Sequence, residues 1–194
     1  MAFDILISKS RKFSESELKK MGLDGIFFLN PENSAMIDTE SKEELRRAVS
    51  SAHSKKKMIV ILGGDDEMNR IALDDKRVSI LLSPERRRKK DFMHSRNSGL
   101  NHVLCDLAAK NNVSIAINYS ELKKLKGKDA AERLGRIMQN VRLCRKSKAP
   151  MILASFGKKP SSVYDLRSFA FSIGMTTDQA KKSLEKAKEI FEGR

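Results

Sequence analysis

Residues 58–75 decide the architecture: Met58-Ile59-Val60-Ile61-Leu62, then Gly63-Gly64-Asp65, then Asp66-Glu67-Met68-Asn69-Arg70-Ile71-Ala72-Leu73-Asp74-Asp75. The first five residues are apolar at every position rather than at alternate ones. That marks a strand covered on both faces, as in a parallel sheet flanked by helices. The glycines supply a tight strand-to-helix turn, and Asp65 is placed to cap a helix running from Glu67 to Leu73.

The same unit recurs on either side. Strands are expected at Phe3–Ile7, Gly25–Leu29, Met58–Leu62, Val78–Leu82, Val113–Ile117 and Met151–Ser155. Ser14 with Glu17 makes a capping-box pattern, with Phe13 placed to staple onto Leu18; Ser41 with Glu44 repeats the box. Ser98 precedes a helical face of Leu100, Val103, Leu104, Leu107 and Ala108. From Ala130 the positions Leu134, Ile137, Met138, Val141 and Cys144 form one stripe, and Thr176 with Gln179 opens a last helix. The order is β-α repeated six or seven times, with no linker-like segment, so a single α/β domain over residues 1–194 is expected. An open doubly wound sheet and a closed (β/α) barrel both fit. A barrel at 194 residues is compact or lacks a unit, since ~200 residues is near the usual floor.

Composition narrows the partner. The chain holds 39 Lys and Arg against 25 Asp and Glu, net +14, with 40% hydrophobic residues. Twelve of the excess charges lie in residues 86–148, which carry 17 basic and 5 acidic side chains. Such a block attracts nucleic acid, because each Lys or Arg on a phosphate releases a condensed counterion. No run approaches the ~18 apolar residues of a membrane span. The first ten residues lack a basic leader, and two cysteines, Cys105 and Cys144, build no disulfide framework. A soluble, cytoplasmic protein without membrane contact is expected.

Three histidines are too few for a metal-hydrolase barrel, whose ligands gather at the C-terminal strand ends. Those ends read Ser8-Lys9, Asn30-Pro31, Gly63-Gly64-Asp65, Ser83-Pro84, Asn118-Tyr119 and Ser155-Phe156, with one carboxylate and no histidine. Gly63-Gly64-Asp65 lacks the Gly-Lys-Ser/Thr of a phosphate loop. The cysteines fall on or beside apolar stripes, as inert buried thiols do. What remains is basic: Arg86-Arg87-Arg88-Lys89-Lys90, then Lys123, Lys124, Lys126 and Lys128, then Arg142, Arg145, Lys146 and Lys148 at a helix end where the dipole also favours cations. Aromatics are 6%, so phosphate-dominated recognition of a structured RNA or duplex is expected over stacking. His102 lies about 180° from its helix's apolar stripe at ~100° per residue, and should face outward.

Arg96-Asn97-Ser98-Gly99-Leu100-Asn101-His102-Val103-Leu104, continuing to Val113, resembles the archaeal ribonuclease P protein component 3 family, counterpart of the eukaryotic thirty-kilodalton subunit. In order come Ile61-Leu62-Gly63-Gly64-Asp65 with Asn69-Arg70, Leu82-Ser83-Pro84, Lys148-Ala149-Pro150, Asp165-Leu166-Arg167 and Gly174-Met175. The likeness spans residues 58–180. Asn97 stands where Asp is usual, and Ser168-Phe169 where a proline often follows Leu-Arg.

The resemblance implies a compact TIM-like barrel of the polymerase-and-histidinol-phosphatase type that has lost its metal ligands. It implies a protein subunit, itself non-catalytic, that helps fold the RNA which cuts the 5′ leader from precursor tRNA. The partners implied are ribonuclease P RNA, the component 2 protein and, indirectly, precursor tRNA. No cofactor is expected on this chain; Mg²⁺ belongs to the RNA. Arg70, Arg86, Arg87, Arg88, Arg96, His102, Lys110, Lys148 and Arg167 are the expected RNA contacts. A metal-dependent phosphoesterase on the same barrel and a general structured-RNA binder are the alternatives.

Overall fold

A computed structural model describes residues 1–7, 12–86, 90–91 and 93–193. Among the described residues there are seven strands: β1 (Phe3–Ile7), β2 (Gly25–Leu29), β3 (Ser34–Ile37), β4 (Met58–Leu62), β5 (Ile80–Leu82), β6 (Ser114–Asn118) and β7 (Met151–Ala154). The helices are α1 (Glu15–Met21), α2 (Lys42–Ser54), α3 (Asp66–Asp74), α4 (His102–Asn111), α5 (Tyr119–Leu122), α6 (Gly127–Ser147), α7 (Val163–Ser172) and α8 (Thr177–Glu192).

All ladders are parallel. β3-β4-β5-β6-β7 form one sheet and β1-β2 another. The two join at β1 and β7, where Phe156 N–H donates to Ile5 O (2.8 Å) and Ile7 N–H to Gly157 O (3.0 Å). The resulting order is β2-β1-β7-β6-β5-β4-β3. Its outer strands are consecutive in the chain and separated only by a single turn at 30–33, in which Ser34 N–H bonds Asn30 O at 2.9 Å. Asn33 ties that turn to both flanks: its Nδ2 donates to Phe28 O (2.7 Å), and its carbonyl accepts from Met58 N–H (2.9 Å). The chain itself, rather than a ladder among the described residues, completes the barrel.

Alternation within each strand shows why the strands are apolar throughout. Ile59, Ile61, Leu81, Ile115, Ile117, Met151 and Leu153 belong to the core beneath the helices. Their neighbours Met58, Val60, Ile80, Leu82, Ala116, Ile152 and Ala154 join Ile5, Leu29 and Phe156 in a second core inside the ring. Side chains of successive strand residues point to opposite faces, so both sets are buried only if both faces are covered. Ala187 on α8 belongs to the inner core and Phe191 packs against it, stacked on Phe27 with centroids 4.4 Å apart.

Six strands are legible in the sequence; β3 is the seventh. It is short, opens with Ser34, and follows β2 without the crossover helix that a parallel pair ordinarily needs. The capping expectations divide. Ser14 and Glu17 form the reciprocal box. Ser41 caps Glu44 N–H (3.3 Å), but the Glu44 carboxylate is taken by Thr39 Oγ (2.5 Å). Phe13 stacks on Phe28. α4 is capped by Asn101, whose Oδ1 accepts from Leu104 N–H (2.9 Å), three residues later than Ser98 suggests.

Gly63 is required by close approach rather than by turn geometry. Its φ is not positive, but a Cβ there would fall 2.1 Å from the Ser83 carbonyl oxygen. The ends of β4 and β5 therefore run in backbone contact. Asp65 caps Met68 N–H (2.8 Å), in the structural role its position suggests.

Candidate nucleic-acid interface

The segment between β5 and α4 lies against α6, and buried polar groups fix it there. Asn69 of α3 is fully buried: Gly64 N–H donates to its Oδ1 (3.0 Å), and its Nδ2 donates to Pro84 O and Gly99 O (3.1 Å each). Asn140 Nδ2 donates to Ser98 O (3.0 Å). Gln139 Nε2 donates to Arg96 O (2.9 Å), while Arg96 N–H donates to Gln139 Oε1 (3.0 Å). One helix thus pins both sides of the Arg96-Asn97-Ser98-Gly99 turn.

Asp91 is the electrostatic centre of this turn. Arg96 Nη1 (2.7 Å), Arg136 Nε (2.9 Å) and Asn97 N–H (2.9 Å) all donate to it. Partial burial works against its charge, but the two guanidiniums and the amide outweigh burial and lower its pKa to about 2. Arg96 lies against Gly135 of α6, where a Cβ would come 3.1 Å from its Nε. Its side chain stays half exposed.

A second array sits deeper. Arg133, 9% exposed, donates from Nε to Glu85 Oε1 (2.8 Å) and from Nη2 to Glu121 Oε1 (3.4 Å). Burial pushes the Glu85 carboxyl above its ordinary value, and the adjacent Arg133 charge pulls the other way without cancelling it. α6 therefore buries Arg133, Arg136 and Asn140 beside its apolar stripe. An apolar-stripe reading of that helix misses these three; the only signal is polar residues at three- and four-residue spacing.

The expected contact residues do not form one cluster. Arg86 follows β5 and pairs with Asp38 (3.1 Å); Arg96 and the exposed His102, first residue of α4, share that C-terminal end of the barrel. Arg70 is exposed beside Asn69 on α3. Arg87 and Arg88 lie outside the described residues. Lys110 is in the last turn of α4, and Lys148 ends α6 just before β7, so both stand at the opposite end. Eight residue steps along the helix put His102 and Lys110 roughly 12 Å apart along the axis. Arg167 is exposed on α7. The outward reading of His102 holds, although Val103, expected on the apolar face, is 44% exposed and Cys105 is buried in its place.

Among the described residues, no group of three or more His, Cys, Asp and Glu side chains is placed to hold a metal ion. Cys105 and Cys144 are buried free thiols, Sγ to Sγ 3.9 Å. No described helix is long and apolar enough to cross a membrane.

Comparison with known proteins adds the lineage. The family described as RNase P subunit p30 matches residues 34–194, well beyond the 58–180 carried by the sequence motifs. Ribonuclease P protein component 3 of Methanothermobacter thermautotrophicus is 32% identical over 77% of this chain and 59% of its own length. The protein of the same name from Methanocaldococcus jannaschii is 32% identical over 79% and 64%. The chain thus spans about 60% of the length of these curated relatives. A chain in the cryo-EM structure of archaeal ribonuclease P with mature tRNA superposes with a TM-score of 0.75 at 25% identity, covering 98% of this chain and 90% of that one. A Xaa-Pro dipeptidase, TM-score 0.51 and 14% identical over 91% of this chain and 46% of its own, shares the fold alone. The chain belongs to the RNase P subunit p30 family.

Proposed function

We propose that this chain is a protein subunit of ribonuclease P, which binds and helps fold the RNA that removes the 5′ leader from precursor tRNA. The observation that carries this reading is the near-complete superposition on a chain of an archaeal ribonuclease P, joined to the family match. The charge distribution supports it: exposed Arg96 stands on a turn pinned by Asn69, Asp91, Gln139 and Asn140, and exposed His102 opens the helix that follows, as groups meant to meet phosphates should. On this reading the chain supplies no catalytic group, Mg²⁺ sits on the RNA, the component 2 protein is a neighbour, and the complex is cytoplasmic.

Reconstitution tests it. A mixture of ribonuclease P RNA and the other archaeal protein subunits should cleave precursor tRNA faster with this chain than without it, and a pull-down should enrich ribonuclease P RNA. Recovery of many unrelated RNAs would favour a general binder. Phosphoester hydrolysis by the isolated chain with manganese or zinc would favour the enzyme.

A further inference from the structure

The barrel mouth at the C-terminal strand ends holds a small cavity of about 190 Å³, lined by Ile7, Met36, Leu62 and Leu82 together with Ser83, Arg86, Asn118 and Glu121. Its wall is apolar, its rim polar. Ser83 is 2% exposed, and its Oγ has no hydrogen-bond partner among the described residues. An unmade hydrogen bond at a buried hydroxyl costs about 1–3 kcal/mol, so the Ser83 hydroxyl is open to a group entering the cavity that completes it.

Among the described residues, the rim's guanidiniums are already paired. Arg86 pairs with Asp38, and Arg133 behind Glu121 pairs with Glu85 and Glu121. Among the described residues phosphate would therefore meet three carboxylates, Asp38, Glu85 and Glu121, beside two guanidiniums, so these groups do not favour an anion. The mouth does offer complementary neutral hydrogen bonding. The Asn118 carbonyl is used by Glu121 N–H (3.0 Å), which leaves its amide to donate. Glu121 gives one carboxylate oxygen to Arg133 at 3.4 Å, which leaves the other to accept. The volume lies below the ~300 Å³ at which pockets for drug-sized ligands begin, enough for one heterocycle rather than a whole nucleotide.

We infer that the mouth captures a single unpaired RNA base with a ring N–H beside a carbonyl, guanine or uracil. Glu121 accepts the ring N–H, Asn118 and Ser83 serve the carbonyl, and Met36, Leu62 and Leu82 cover the faces. Bases splayed from a single-stranded element are read in this way, by edge hydrogen bonds and apolar contact. Adenine and cytosine lack the ring N–H. The inference rests on the ribonuclease P reading, because it needs an RNA held nearby.

The test is a set of binding isotherms for the full chain on transcribed archaeal ribonuclease P RNA over a range of salt. Glu121→Gln inverts one rim group, and Met36→Trp fills the cavity from a half-exposed strand position. Each should weaken binding by roughly 5–50-fold, 1–2 base hydrogen bonds at 1.4 kcal/mol per decade, with the salt slope unchanged. In parallel, RNA carrying 6-thioguanosine or 4-thiouridine should crosslink to the mouth residues in the wild type and not in Met36→Trp. Undiminished binding by both folded variants, a flattened salt slope, or crosslinks only elsewhere would overturn the base pocket and leave the subunit role standing. Failure of the wild type to bind this RNA would overturn the subunit role itself, and the pocket with it.

Discussion

Asp4 accepts the backbone N–H of Ser155 at 2.6 Å across 151 residues of chain. Its carboxylate also takes Ser155 Oγ (2.7 Å), Ser161 N–H (3.0 Å) and Ile5 N–H (2.9 Å), all within the buried seam where β1 meets β7. Burial raises its pKa, and the donors from Ser155, Ser161 and Ile5 oppose that rise without cancelling it. A carboxyl whose folded pKa is raised adds most stability below its unfolded value of about 3.8 and loses that contribution as pH rises through the folded value. Asp4→Ala should cost about 3 kcal/mol or more, from several donors left unpaired at about 1 kcal/mol each. Urea denaturation measures the loss. A cost below about 1 kcal/mol would show that the seam is held by the strands alone.

Arg133 and Glu85 form a largely buried ion pair. Arg133→Ala strands the Glu85 charge and should destabilise by about 3–5 kcal/mol, whereas replacing both by apolar residues of similar size should cost far less. The single variant should also carry a pH signature. With its guanidinium gone, Glu85 rises further, so the Arg133→Ala protein should lose stability as pH increases above the ordinary glutamate value of 4.5 more steeply than the wild type. Parallel pH series of denaturation midpoints would settle it.

A parallel sheet covered on both faces was legible because apolar-throughout strands admit little else, whereas its closing into a barrel was implied by the family resemblance alone. Met58–Leu62 has no polar residue to place on a solvated face, and its alternate side chains divide between two cores. Its point of closure was not legible. That depends on the bonds of Met58 N–H to Asn33 O and of Ser155 N–H to Asp4, each between residues far apart in sequence, and neither acceptor stands in a pattern that periodicity detects. The candidate interface was half visible: charge density marked Arg86 and Arg96 but merged them with Lys110 and Lys148, which stand at the opposite end of the barrel. Direction along a helix separates these residues, and composition carries no direction.

Asn69 joins the β4–α3 turn to two points, Pro84 and Gly99, of the connection between β5 and α4. Asn69→Ala removes three hydrogen bonds, about 1 kcal/mol each, or roughly 6–12 °C in Tm at 2–4 °C per kcal/mol. Asn69→Asp keeps the acceptor for Gly64 N–H but loses both donors, so it should not rescue. Rescue by Asp would indicate that the bonds to Pro84 and Gly99 contribute little.

Asp91 holds the turn through charge, so its contribution depends on pH in the opposite sense from Asp4. With its folded pKa depressed to about 2, its stabilisation is present above the unfolded value of about 3.8 and is lost as pH falls through about 2. Asp91→Asn should be less stable than the wild type at pH 5–7, and the two should converge near pH 2. Urea midpoints across that range provide the check; a gap that persists at pH 2 would assign the turn's stability to shape rather than charge.

The two ends of the barrel make the sharpest functional prediction. Arg96 stands on the pinned turn at the mouth, while Lys148 ends α6 before β7 at the far end. Residues this far apart and without shared partners act additively. If both touch phosphates of the same RNA, Arg96→Ala and Lys148→Ala should each flatten the plot of log K against log salt by about one unit, and the double variant by about two. That outcome requires an RNA that wraps the barrel from end to end. If Lys148→Ala leaves the slope unchanged while Arg96→Ala lowers it, the RNA stays at the mouth and the far-end lysines only solvate the surface. Two isotherm series with one transcript distinguish the cases, because the slope counts ion contacts and is blind to the packing either variant disturbs.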